Sequence, residues 1–328
     1  MATCNFRSPL AARLQSFLEL RRATGRRGCS DQKIIVAFDR FLISAIKPGQ
    51  SITSDIVDRW IAGMAQLSVG TRINRLSLLR QFCAYQRHFD PRTCIVHRSF
   101  LPHRGQQAPH IYSAKEVSSI MAAATELGPA GSLRPAVIRT LIGLLYATGL
   151  RIGEALHLTL ADVDLRRRLL TVRETKFKKT RYVPLSASTA SHLADYLHER
   201  KTKGGSMAPS AGVFLSTTGR AYGGQSSVYT VFLQILREVG LRGPKGQRGP
   251  RLHDFRHTFA VNRLLAWYRH GENISAKLPL LSTYLGHTTV TCTEVYLHAT
   301  AELLESVGKR FHDHFAVPPL SRKEAHHA

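Results

Sequence analysis

Apolar residues recur at three- and four-residue intervals through the first hundred positions of the chain, which is the spacing of one helix face. Ser30 and Thr53 stand where helix N-caps are expected, and Pro48-Gly49 separates the second apolar stretch from the third. The pattern predicts four short helices. Their apolar faces are Leu10, Leu14, Phe17 and Leu18; Ile34, Ile35, Phe38, Phe41, Leu42 and Ala45; Ile56, Val57, Trp60, Ile61 and Met64; and Ile73, Leu76, Leu79, Phe82 and Cys83.

The pattern changes after residues 98–110, a polar stretch with two prolines that we interpret as a linker. Ser113 and Glu116 form a capping box that predicts a helix as far as Ala124. Residues 169–173 and 182–185 alternate between apolar and polar positions, as the two strands of a hairpin do. Further helices are predicted at residues 135–148, ending at Gly149, and at 186–201, 225–239 and 253–269.

The predicted fold class is therefore mainly α (α+β), in two domains. A four-helix domain is expected at residues 1–105, and a mixed, mostly helical domain with a small β-hairpin at residues 106–316. Residues 317–328 are expected to form a disordered tail.

The charge of the chain points to a polyanionic partner. Lys and Arg number 46 against 22 Asp and Glu, so the formal net charge is +24. Both halves share this positive excess. Residues 1–107 contain 17 basic and 6 acidic residues, and residues 108–328 contain 29 basic and 16 acidic residues. We expect both halves to contact DNA. A ribosome-like role, or a charge that serves solubility, is the alternative reading of the composition alone.

Cysteine usage and hydropathy bear on the compartment. The five cysteines are odd in number and include no Cys-x-x-Cys pair, which argues against a disulfide framework and against a zinc site. No apolar run is long enough to span a membrane, and residues 1–12 lack the apolar core of a signal peptide. We expect a reduced, cytoplasmic protein.

Five residues in the second half suit an attack on a phosphodiester. Catalysis there consists mostly of placing positive donors around the phosphate and a nucleophile in line with the leaving oxygen. Arg151 and Arg256 are candidates for a clamp, since a guanidinium grips two phosphate oxygens at once. His253 and His287 can donate or accept a proton near neutral pH. Tyr296, beside such cations, is the candidate nucleophile.

Each of these residues also has a structural alternative. Arg151 alone would more often cap the preceding helix, and Tyr296 alone would more often be a core aromatic. Glu154 fits a structural partner of Arg151 better than a chemical base. His253 and His257 have the spacing of a zinc-protease pair, but that motif requires a glutamate after the first histidine, where this chain has an aspartate. His257 is therefore expected to pack behind the site, and no metal is expected.

Three motifs together resemble the tyrosine recombinases of the phage integrase family. Residues 147–154 read Ala-Thr-Gly-Leu-Arg-Ile-Gly-Glu, residues 253–257 read His-Asp-Phe-Arg-His, and Leu-Gly-His at residues 285–287 precedes Tyr296 by nine positions. The resemblance covers residues 110 to about 312. The family carries a hairpin lysine five residues before an Arg-x-Val-Pro-Leu run, which is Lys176 here; Lys178 or Lys179 would take the role in a shifted register.

The resemblance implies fold and function together. Residues 1–105 would be a SAM-like core-binding domain that clamps DNA, and the catalytic set would be Arg151, Lys176, His253, Arg256, His287 and Tyr296. The chain would cut and rejoin DNA through a 3′-phosphotyrosine without metal or cofactor. The 31 positions from Arg256 to His287 exceed the spacing in shorter members and favour a recombinase of a mobile element. A relaxing topoisomerase is a related variant, and a catalytically silent DNA-binding accessory protein is the alternative from another class.

The implied partners are double-stranded DNA of the nucleoid, further copies of the chain, and, as an open alternative, other recombinases of the same element. Leu303, Leu304, Val307, Phe311 and Phe315 lie at helical spacing near the C-terminus. In the resembling family, the corresponding segment docks on a neighbouring subunit of a tetramer formed on paired sites. The alternative is that this apolar face folds back on its own domain.

Overall fold

The computed structural model describes residues 5–25, 29–98, 108–129, 131–173, 180–222, 224–244, 246–287, 289–294 and 296. The chain divides into two units, Met1–Gln107 and Ala108–Ala328, each with its own apolar core. The predicted lysine-rich turn and the predicted C-terminal helix and tail lie outside the described residues. Among the helices that are described, none combines the length and apolar character needed to cross a bilayer.

The first unit is helical, as the periodicity predicts. Its helices are α1 (Ala11–Ala23), α2 (Cys29–Ala45), α3 (Ser54–Ala62) and α4 (Val69–Gln86). Aromatic residues from all four helices meet in its core, where Phe38 and Trp60 pack edge to face with ring centroids 5.2 Å apart. Phe17 and Phe82 do the same at 5.4 Å. Such pairs contribute specific geometry in addition to buried apolar area.

The helix caps of this unit correct the sequence analysis in part. Thr53 occupies the N-cap position of α3 with extended dihedrals, as predicted. The N-cap predicted at Ser30 is wrong, because α2 already begins at Cys29 and an N-cap residue must lie outside the helical dihedrals. Ser68, which was not predicted, caps α4 by accepting a hydrogen bond from the Thr71 amide at 3.3 Å.

The second unit is mostly helical around one small sheet. Its helices are α5 (Ala114–Thr125), α6 (Arg134–Thr148), α7 (Ile152–Leu156), α8 (Ala187–Thr202), α9 (Ser226–Glu238), α10 (Asp254–Arg269), α11 (Ile274–Leu285) and α12 (Thr291–Glu294). The capping box predicted at Ser113 and Glu116 starts α5. The short α7, and α11 and α12, were not predicted.

The sheet contains the predicted hairpin. Strands β1 (Val163–Asp164), β2 (Leu169–Val172) and β3 (Arg181–Pro184) run antiparallel in that order, and Val172 faces Arg181. β1 was not predicted, because two residues are too few for an alternating pattern. The turn between β2 and β3, with Lys176, Lys178 and Lys179, lies outside the described residues.

Helix α6 is the centre of this unit and packs against α5, α8 and α10. It ends at Gly149, whose φ of 64° is left-handed. A Cβ at this position would lie 2.6 Å from a ring atom of Phe259 on α10, so both the backbone turn and the close packing require glycine. The turn places Arg151 at the start of α7, facing the beginning of α10.

Candidate active site

Arg256 joins the three sequence motifs physically. It lies in the first turn of α10 and is fully buried. Its Nη1 donates to the Gly149 carbonyl at 2.9 Å, and its Nη2 donates to the Leu285 carbonyl at 2.5 Å. Burial and the nearby Arg151 lower the pKa of Arg256 to about 10, so the side chain remains a cation at neutral pH. A single guanidinium thus ties the first and third motifs to the second.

Arg151 lies at the N-cap of α7 with an extended backbone, and Gly149 rather than Arg151 ends α6. Its backbone amide donates to Glu154 at 2.9 Å, and its Nη1 donates to the same carboxylate at 2.9 Å. Its Nη2 donates to the Gly286 carbonyl at 3.3 Å. The side chain is 37 % exposed, so this guanidinium keeps a face open to an incoming anion.

Glu154 is the structural partner that the sequence analysis expected, and it holds a second arginine as well. Arg181, at the start of β3, donates to Glu154 through Nη1 and Nη2 at 3.1 and 2.8 Å, and through Nε to the Tyr284 carbonyl at 2.8 Å. Burial pushes the pKa of Glu154 upward, but hydrogen bonds and charge from Arg181 and Arg151 outweigh it and hold the pKa below its usual range.

From the sequence, Arg181 serves only as the reference position for Lys176, and its place beside the site is not predicted. The alternation of side chains along β3 could have predicted this position. Arg181 and the buried Val183 share one side of β3, whereas Tyr182 is exposed on the other.

His253 and His257 form a pair at the start of α10. Their rings meet edge to face, with centroids 5.0 Å apart. Burial, His257 and Arg256 lower the pKa of His253 to about 4, so its imidazole is neutral at neutral pH. The Nδ1 of His257 is buried and has no hydrogen-bond partner among the described residues. Within the same described part of the chain, no group of three His, Cys, Asp or Glu side chains is placed to hold a metal ion.

His287 follows Gly286, which ends α11 with a left-handed φ of 67°. Its Nδ1 lies 2.7 Å from the hydroxyl of Thr293, on α12. Burial, Arg256 and Arg151 lower the pKa of His287 to about 4, so this imidazole is also neutral at neutral pH. Thr293 was not singled out from the sequence, because nothing in its spacing distinguishes it from the four other threonines of residues 283–294.

Tyr296 lies among these groups and is itself buried, with 3 % of its surface exposed. Its ring centroid is 6.0 Å from that of His287 and 5.3 Å from that of His257, and the Arg256 guanidinium lies close enough to lower the pKa of its hydroxyl. Burial raises the pKa of the phenol above its usual value of about 10, against the opposing charges of Arg256 and Arg151. The phenol is therefore protonated in this state.

The structure thus brings together Arg151, His253, Arg256, His287 and Tyr296, while Lys176 lies outside the described residues. The guanidinium groups of Arg151 and Arg181 bind the carboxylate of Glu154, and the Arg256 guanidinium adds a third positive charge nearby. The surplus positive charge and the two neutral imidazoles suit a bound phosphate, since both kinds of group can donate to its oxygens. Tyr296 remains the candidate nucleophile of this group.

Comparison with known proteins agrees with this chemistry. The sequence profile described as the phage integrase family matches residues 111–302. A provisionally named integrase/recombinase of Sinorhizobium fredii, y4rB, is 36 % identical over 301 residues, which cover 90 % of this chain and 95 % of that protein. The tyrosine recombinase XerD of Bradyrhizobium diazoefficiens is 28 % identical over 84 % of this chain and 83 % of its own length.

Solved structures share the fold. The integrase of transposon Tn1549, in complex with transposon right end DNA, aligns with a TM-score of 0.66 at 18 % identity, covering 93 % of this chain and 99 % of that one. XerH bound to palindromic difH substrate aligns with a TM-score of 0.60 at 20 % identity, covering 92 % and 82 %. The chain belongs to the phage integrase family, that is, to the tyrosine recombinases.

Proposed function

We propose that this chain is a site-specific DNA recombinase that cuts and rejoins DNA strands through a covalent bond to Tyr296. The hydrogen bonds of Arg256 carry the proposal, because one buried cation joins Gly149 and Leu285 beside the Tyr296 side chain, whose pKa it lowers. Family membership and the net charge of +24 support DNA as the substrate.

In the proposed reaction, the Tyr296 oxygen attacks the scissile phosphorus and a P–O bond to tyrosine forms as the bond to the 5′-oxygen breaks. Arg151 and Arg256 bind the non-bridging oxygens, where preorganised donors lower the barrier. A neutral imidazole, of His253 or His287, accepts the phenolic proton, and Lys176 gives a proton to the leaving 5′-oxygen. The 3′-phosphotyrosine keeps the energy of the phosphodiester, so resealing needs neither a metal nor ATP.

The burial of Tyr296 adds a step to this scheme. A phenol with 3 % exposure cannot reach a phosphate in solution, and its raised pKa disfavours the phenolate. DNA binding therefore has to move the segment that carries Tyr296 before attack. A bound phosphate would also draw Arg151, the more exposed arginine, toward the substrate.

We assign residues 1–105 to a domain that clamps DNA and residues 106–316 to the catalytic domain, since both halves carry comparable positive excess. The proposed setting is nucleoid DNA in the cytoplasm. A role in moving a mobile element is supported by the long spacing between Arg256 and His287, part of which forms α11.

We further propose that the protein works as a tetramer on paired sites, with the apolar face at Leu303–Phe315 docking on a neighbouring copy. A groove of about 380 Å³ beside α10 and α11 fits this role, because Trp267, Tyr284 and Leu280 line it. Leu280 is 65 % exposed on α11, so its side chain is accessible to a segment that docks in the groove.

Tyr296→Phe tests the function directly. On a nicked suicide duplex that carries the recombination site, the wild type should form a protein–DNA complex that survives denaturant and chelator. The variant should bind the same DNA and trap nothing, because the phenylalanine ring fills the same space without the attacking oxygen. A chelator-sensitive reaction, or trapping by the variant, would show that Tyr296 is not the nucleophile. Absence of any trapped complex with the wild type would favour the accessory-protein alternative.

A further inference from the structure

Thr293 is a buried polar residue for which the reaction scheme above has no role. None of its surface is exposed, and its hydroxyl lies 2.7 Å from Nδ1 of His287. It lies on α12 (Thr291–Glu294), and Tyr296 follows it three positions later in the chain. The helix that leads to the nucleophile is thus hydrogen-bonded to a histidine of the proposed phosphate site.

The direction of this hydrogen bond follows from the surroundings of the hydroxyl. A threonine hydroxyl has one hydrogen to donate and two lone pairs. Among the residues that the structure describes, Nδ1 of His287 is the partner of the Thr293 hydroxyl. If Nδ1 carried a hydrogen and donated it to Thr293, the buried hydroxyl hydrogen would have no acceptor among those described residues, which is unfavourable. Donation from Thr293 to Nδ1 satisfies both groups.

The direction decides what His287 can do. A neutral imidazole carries one hydrogen, so an Nδ1 that accepts from Thr293 leaves the hydrogen on Nε2. The low pKa of His287, about 4, keeps the ring in this neutral form at neutral pH. Nε2–H is then a hydrogen-bond donor, the type of group that a developing negative charge on a phosphate oxygen requires.

We propose that Thr293 is a positioning residue, which fixes His287 as the tautomer that donates through Nε2 to the scissile phosphate. This inference rests on the proposed function, since it assigns His287 to the phosphate. Within the proposed reaction it leaves His253 as the acceptor of the Tyr296 proton, because a His287 whose Nδ1 is occupied and whose Nε2 carries a hydrogen has no free lone pair. Because Thr293 and Tyr296 belong to one short segment, the position of that segment also fixes Nε2–H of His287 as the hydrogen-bond donor.

The experiment uses the full chain with Thr293→Val, which keeps the shape and removes the hydroxyl, and Thr293→Ser, which keeps the hydroxyl. Trapping on the suicide duplex should slow roughly tenfold in the valine variant and stay within about twofold of wild type in the serine variant, as expected for one hydrogen bond. Thr291→Val is the matched control, because Thr291 is exposed on the same helix. It should trap DNA at the wild-type rate.

Two further measurements separate positioning from a merely structural role. In the His287→Ala background, Thr293→Val should slow trapping no further, because a residue that acts through His287 has nothing left to position. In the full chain labelled with ¹⁵N-histidine, long-range ¹H–¹⁵N spectra should show Nδ1 of His287 without a hydrogen. The signals are assigned by their loss in His287→Gln.

The proposal is overturned if Nδ1 of His287 carries the hydrogen in the wild type, or if Thr293→Ser traps DNA as slowly as Thr293→Val. It is also overturned if Thr293→Val slows trapping as much in the His287→Ala background as it does in the wild type. These results leave the proposed function intact as long as Tyr296→Phe abolishes trapping. If His287→Ala traps DNA at the wild-type rate, the proposal for Thr293 fails, and so does the assignment of His287 to the phosphate. The role proposed for Tyr296 is not affected by that result.

Discussion

Glu154→Gln should both destabilise the second unit and reduce cleavage. The carboxylate is 10 % exposed and holds two arginines, Arg181 through both terminal nitrogens and Arg151 through Nη1 and the backbone amide. Glutamine keeps the shape and one acceptor oxygen. It removes the negative charge, however, and turns an amide group toward a guanidinium that is itself a donor.

The magnitude follows from the exposure of the two arginines. Removal of one partner from a buried ion pair costs about 3–5 kcal/mol in free energy of unfolding. Arg181 is 11 % exposed and counts as a buried partner, whereas Arg151 is 37 % exposed and solvent screens its share. The oxygen that glutamine retains offsets part of the loss, so we expect a destabilisation of about 2–3 kcal/mol. For a unit of this size, the unfolding midpoint should fall by roughly 4–12 °C.

Thermal unfolding of the full chain, followed with covalent trapping on the suicide duplex, measures both effects. Trapping should fall on the order of a hundredfold, because Arg151 loses the carboxylate that orients it and a misplaced donor loses most of its effect. Glu199→Gln is the matched control, since Glu199 pairs with Lys203 at the surface. It should change the midpoint little. A Glu154→Gln protein that melts and cleaves like wild type would refute the structural role assigned to this carboxylate.

The effect should also depend on pH in a defined direction. The pKa of Glu154 is lower in the folded state than in the unfolded state. The stabilisation that ionised Glu154 gives the folded state is therefore fully present at pH values above the usual carboxyl range, and it is lost as the pH falls through the folded pKa. The difference in unfolding free energy between wild type and Glu154→Gln should therefore be constant near neutral pH and shrink in acid. A difference that grew as the pH fell would contradict the assignment.

Two other predictions concern parts of the mechanism that are proposed. Lys176→Ala should lose cleavage of ordinary DNA and regain it on a 5′-bridging phosphorothiolate, whose sulfur leaves without protonation; rescue of Lys178→Ala or Lys179→Ala instead would place the acid at another lysine. Leu280→Asp should trap single sites normally and fail to exchange strands between two sites, because a charge enters the apolar groove. Leu20→Asp, at another exposed leucine, is its control, and normal strand exchange by Leu280→Asp would exclude the groove as the docking surface.

The sequence by itself determined most of the helices, the hairpin and the residue types available for chemistry, although α7, α11, α12 and β1 could not be predicted. Helical periodicity is a local property, so the four helices of the first unit, the capping box at Ser113 and the end of α6 at Gly149 could all be predicted. The family could be predicted because the three motifs keep their order and spacing along the chain. The prediction of an N-cap at Ser30 was wrong, since the local sequence does not determine the exact residue at which a helix begins.

The tertiary structure decided which groups touch and in what state. Arg256 reaches Gly149 and Leu285 only because α10 packs against both α6 and α11, and Arg181 reaches Glu154 only through the position of β3 beside α11. These contacts span 27 to 107 positions of the chain, beyond any local pattern. Burial likewise belongs to the folded state. It makes His253 and His287 neutral, keeps Tyr296 protonated and leaves Thr293 facing His287, because desolvation depends on neighbours that only folding supplies.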